Sequence, residues 1–224
     1  MVYETHLKTN VTYKGYPLIE LLDAYFKDEW RKKDGILFEA MDGYRSDVSV
    51  AKILKYKPLL AYSFESGANF AFDNKAQNEK DVPLGPFYLV WDNISNPELR
   101  REGAHGWPYQ VVRLDPIQYA EYYAKAFPIK KPTAAQRQGF EHFKNYCMSC
   151  HSVSGDEGGA KGPVLYPNPE VIQKGFSSFR KWAQNPSSVK PGTTMPPLNP
   201  GLNQAERDEV TKLIYKYLIA LNKK

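Results

Sequence analysis

The stretch CMSCHS, residues 147–152, holds the only two cysteines of this 224-residue chain. The thiols stand three positions apart, and His151 follows the second directly. Working outward, the segment upstream reads as a helix. TAAQ offers Thr133 as N-cap and Gln136 three residues on, a capping box, with the helix expected to reach about Tyr146. Downstream comes a loop-rich stretch with many Gly and Pro. A last helix then has Asn203 as cap and Glu206 at N3, with an apolar stripe of Val210, Leu213, Ile214, Tyr217, Leu218 and Leu221.

C-x-x-C-H is the spacing of covalent haem attachment. Two intervening residues let one helical turn place the sulfurs of Cys147 and Cys150 along one macrocycle edge. His151 then offers Nε2 to the iron. Three other readings stay open beside this one. A structural zinc site needs two further ligands at paired spacing, and His6, His105 and His142 are scattered. A thioredoxin-like dithiol needs a βαβ setting, which the pattern lacks. The third is a chance match. For an electron carrier a thioether completes the iron and raises its potential. Met1 is terminal, Met41 lies in the other half and Met148 is inside the turn, so Met195 in the Pro-flanked PGTTMPPL loop is the candidate sixth ligand.

Composition bounds the rest. Hydrophobic residues make up 42% and charged residues 25%, ordinary for a globular protein. Net charge is +5 and spread out, with no basic stripe for nucleic acid. No apolar run approaches the ~18–20 residues of a membrane span. The opening MVYETHLKTN lacks the apolar segment of a signal peptide. Two textures divide the chain. Residues 9 to 115 alternate short apolar runs (GILFEAM, PLLAYSF, PFYLVWD, YQVVRL) with turn signals. They also predict a helix in PLIELLDAYFKDEW, with Leu18, Leu21, Leu22 and Tyr25 on one face, and a shorter one over 48–56. Residues 116–132 form a connector, and from Thr133 the pattern is helical. Its Pro-punctuated tyrosines, at 119, 122 and 123, are expected to pack rather than leave a loose linker.

Residues 133–224 resemble a class I cytochrome c domain: CMSCH, KGPVL, WAQNP, PGTTMP and an aromatic-bearing last helix follow in that family's order. The resemblance implies an all-α C-terminal domain with one haem c. It implies that the Pro163 carbonyl orients His151, that Trp182 lies near the haem with its N–H toward a propionate, and that Gly139 and Phe140 cross the last helix near Tyr217. A core role for Trp182 stays open, and His142 is expected to face solvent.

Residues 15–114 are similar in block order to the sulfite-oxidase-type molybdopterin domain, through GYPLIELLD, FEAMDGYRSDVSV, PLLAYSFESGANF, VPLGPFYLVWD and WPYQVVRL. That family binds molybdenum through a cysteine thiolate, absent here. Arg45, Arg100, Arg101, His105 and Arg113 are the residues offered to a pterin phosphate, without the histidine and arginine cluster of that family. The expectation is therefore a two-domain chain: an N-terminal β-rich α+β, sulfite-oxidase-like domain over 1–115, lacking molybdenum, and the cytochrome c domain. Asp42, Gly43, Tyr44 and Arg45 read as a turn and its packing. Function is expected to be periplasmic one-electron transfer between redox protein partners, with the first domain as docking scaffold and no catalysis. Two rivals are a molybdopterin-type oxidoreductase draining substrate electrons into its own haem, and a redox-sensing or ligand-binding module.

Overall fold

The computed structural model of the chain describes residues 1–100, 106–155, 157–199 and 201–221. It divides into two compact units, Met1–Lys75 with Glu79–Tyr122, and Ala76–Asn78 with Tyr123–Lys224.

The first unit opens with β1 (Val2–Glu4), β2 (Thr9–Val11), β3 (Tyr13–Pro17) and α1 (Leu18–Phe26). It continues through β4 (Gly35–Ala40), β5 (Arg45–Ser49), α2 (Val50–Tyr56), β6 (Leu59–Phe64), β7 (Ala71–Asn74), β8 (Glu79–Pro83), β9 (Tyr88–Val90), β10 (Val111–Ile117) and α3 (Tyr119–Tyr122). Antiparallel sheets run in the orders β10-β4-β5 and β3-β6-β9, with β1-β2 and β7-β8 as ribbons. The DGY turn joins β4 to β5: Gly43 takes φ +83°, Tyr44 N–H donates to Asp42 Oδ1 at 3.0 Å, and Arg45 pairs with Glu39 at 3.1 Å. Ser49 caps α2 through Lys52 N–H. Leu18 and Leu22 of α1 are buried with Trp30, Phe38 and Trp91 in one core cluster, while Tyr25, predicted on the same face, is 81% exposed. A second cluster gathers Tyr13, Phe64, Phe72, Leu84 and Tyr88.

In the second unit come α4 (Ala134–Tyr146), α5 (Glu170–Gln173), α6 (Phe176–Gln184) and α7 (Gln204–Leu221). Both predicted capping boxes form: Thr133 and Gln136 bond reciprocally, as do Asn203 and Glu206. Gly139 lets α4 and α7 touch, since a Cβ there would lie 2.1 Å from Leu213 O. Phe140 and Phe143 of α4 each meet the Tyr217 ring at 5.3 Å. Tyr123 is buried, and Tyr217 O–H donates to Ala126 O, so part of the expected connector is packed into this unit.

The expected fold class is overturned. The chain is mixed α+β, 37% helical and 22% strand, with helices spread through it rather than gathered in a clearly separate all-α cytochrome domain. The reason is local: apolar helical periodicity recurs at α1 and at α2, which Ser49 caps, as well as after Thr133. The second unit also takes in Ala76–Asn78, a piece from far upstream, so it is not a contiguous C-terminal segment. Among the described residues no helix is long and apolar enough to cross a membrane.

Candidate functional site

Helix α4 ends in the cysteine motif. Cys147 is its C-cap, with Cys147 N–H donating to Phe143 O at 2.9 Å. The chain then continues through one more turn: Cys150 N–H and His151 N–H both donate to Cys147 O, at 3.2 and 3.0 Å. The helical hydrogen bonding that the spacing required is thus present. The thiols form no disulfide. Burial pushes the Cys147 thiol up to about 12, with Cys150 adding to the shift. A thiol held protonated in this way is a poor nucleophile, which disfavours the redox-dithiol reading.

The His151 ring is fixed from one side. Its Nδ1 lies 2.9 Å from Pro163 O. A carbonyl only accepts, so Nδ1 carries the proton and Nε2 keeps its lone pair. Burial lowers the imidazole pKa while the Pro163 carbonyl opposes this, and the net shift is downward, favouring the neutral ligand form. Gly162 makes the approach possible: a Cβ there would meet the ring at 2.5–3.0 Å.

His151 and Pro163 are thereby brought together, while Cys147 and Cys150 share the backbone turn but are not close together. Trp182 lies on α6, half-buried, and its indole N–H has no acceptor among the described residues. Met195 lies half-buried in the loop between the 3-10 turn Pro186–Ser188 and α7; its N–H donates to Thr193 Oγ1 at 3.2 Å. Within the same unit, Asn78 Nδ2 donates to Thr193 O at 2.7 Å, tethering that loop. Met148 is buried beneath the loop that follows the motif. His142 departs from expectation: it is half-buried, stacks on Tyr146 at 6.2 Å, and burial lowers its pKa.

These residues fit haem c in donor chemistry: two thiols on one turn, a neutral imidazole with an available Nε2, and a thioether in the same unit. Zinc fits less well, because among the described residues no three His, Cys, Asp or Glu side chains gather as a metal site. Arg101 and His105 lie outside the described residues.

Sequence reading missed two buried carboxylates. Glu4, 1% exposed, accepts from Tyr13 O–H (2.8 Å), Tyr88 O–H (3.1 Å), and His6 through its backbone N–H and Nδ1 (3.1 and 2.9 Å). Glu157 lies in the loop after the motif and is 2% exposed. Neither position carries a local signal beyond an acidic residue in a polar stretch. In comparisons with known proteins, the chain matches no family model and no curated protein.

Proposed function

We propose that the second unit holds one covalently attached haem c and that the protein carries single electrons between redox protein partners. The observation that carries this reading is the 147–151 turn, where an imidazole bonded to Pro163 O through Nδ1 follows two thiols on one helical turn. Cys147 and Cys150 would hold the group by adding S–H across its vinyl C=C bonds, sulfur to one carbon and hydrogen to the other, with no net oxidation. When bound, haem supplies a one-electron iron couple. The residues that would hold its iron are His151, through Nε2, and Met195, through its thioether. Pro163 holds the imidazole's tautomer and orientation. Trp182 would be the donor to a propionate through its unpaired indole N–H. Haem attachment of this type takes place outside the bacterial cytoplasm, so the working compartment is the periplasm or another exported location.

The first unit we assign to partner docking. Tyr16 and Tyr62, on neighbouring strands β3 and β6, are 49% and 43% exposed, with ring centroids 5.4 Å apart. Exposed aromatics of this kind are enriched at protein interfaces.

The test is exported expression with haem-maturation machinery, followed by acid–acetone extraction and pyridine haemochrome assay. One non-extractable haem per chain is expected. Extractable haem, or none in a host that matures a control c-type cytochrome, defeats the reading.

A further inference from the structure

The loop after the attachment turn is bonded onto it. Gly159 N–H donates to Met148 O at 2.8 Å and Gly162 N–H to Cys150 O at 2.7 Å. The packing excludes side chains: a Cβ at Gly158 would lie 2.6 Å from His151 O, and one at Gly159 2.0 Å from Ser149 O. Gly158 also takes φ +83°, a conformation that favours glycine. Glu157 immediately precedes this pair and is buried. Its Oε1 accepts from Ser154 N–H at 3.0 Å, and Ser154 Oγ–H lies 2.9 and 3.0 Å from the two carboxylate oxygens. Among the described residues no Lys, Arg or His pairs with it.

A carboxylate buried without a cation is retained at a cost, and nothing in the proposed ligation uses this one. It nevertheless lies beside the site, since the next residue, Gly158, packs directly against the backbone of His151 and Met148. The Tyr217 hydroxyl is pushed up first by burial, then by the charge of Glu157, then by Cys147.

We propose that Glu157 sets the redox bias of this site: a fixed anion packed behind the attachment turn, favouring the oxidised state of the iron held there. The inference rests on the covalent-haem reading above. Reduction brings one electron, and so one negative charge, into a site that already contains a buried anion. Like charges in a low effective dielectric repel strongly, so the reduced form is disfavoured and the midpoint potential lowered. Ser154 acts as the positioning residue, its two donors holding the carboxylate in place.

The experiment uses the full haem-loaded chain with Glu157→Gln, Glu157→Met and Glu157→Asp. Covalent haem content is measured first, then the midpoint by redox titration at pH 7. The neutral Gln and Met variants are expected to favour reduction about tenfold, an upward shift of about 59 mV for one electron. The Asp variant, which keeps the charge, is expected to stay near wild type. Unchanged midpoints in loaded Gln and Met variants overturn the proposal. So does an Asp variant that shifts as far as Gln, because packing and not charge is then responsible. Loss of haem from both neutral variants but not from Asp makes Glu157 an attachment residue and also overturns the tuning role. Wild-type chain without covalent haem defeats the haem reading and this proposal with it, and the haem assay reveals that before any titration.

Discussion

At Glu4 one carboxylate satisfies two buried tyrosine hydroxyls and a histidine. Burial pushes its pKa up, but the bonds from His6 and Tyr13 outweigh this and hold it below the ordinary glutamate value, about 4.3. A lowered carboxyl pKa contributes stability that is complete above the ordinary value and is lost as pH falls through the lowered one. Glu4→Gln is therefore expected to cost about 1–3 kcal/mol at neutral pH. That gap should narrow as pH falls below about 4, as read by urea denaturation followed by fluorescence. On the proposed ligation, Met195→Ala should leave the haem attached, abolish the thioether–ferric charge-transfer band and lower the midpoint; an unchanged spectrum points to another sixth ligand. The turn over 147–151 was legible because it follows from spacing along a short local stretch. Glu4 and Glu157 were not, because their significance is burial, and burial is fixed by segments distant in sequence. Tyr25 shows the same limit in reverse: its helical spacing matched the core face, yet it lies in solvent.

At the scale of elements, the α4–α7 crossing depends on a missing side chain. Alanine is the better helix former by about 1 kcal/mol, so helix propensity alone predicts that Gly139→Ala stabilises the protein. The contact with Leu213 O, which is backbone and cannot swing aside, reverses the sign. The expected outcome is a net loss of roughly 1–3 kcal/mol, read as a lower thermal midpoint; a gain would mean the helices separate at little cost. Thr133→Ala should cost about 1 kcal/mol through loss of its bond to Gln136 N–H. Helices α4 and α7 were readable because their caps are local four-residue patterns and their stripes repeat at the helical period. The loop stretch between them was not, since its course follows single contacts such as Gly162 against His151.

For the whole molecule, block order was a poorer guide than local pattern. The texture change near residue 115 suggested two fold classes, whereas helices are distributed along the chain and the division into units falls at Tyr122/Tyr123 with an excursion to Ala76–Asn78. Sequence windows detect caps and stripes but cannot see a distant tripeptide join a later unit. If the first unit docks partners, the double substitution Tyr16→Ser/Tyr62→Ser should slow electron exchange with the native partner severalfold while leaving the electrode midpoint unchanged; equal rates would remove the docking role. The tether between Asn78 and Thr193 spans 115 residues of sequence. Closing so long a loop carries an entropic cost and places this contact among those that slow folding. It also imposes an order of birth. As the chain is synthesised from its N-terminus, Asn78 is made first, the cysteine turn next and the Met195 loop last. The Asn78–Thr193 bond therefore cannot form until the whole cysteine turn has already been made.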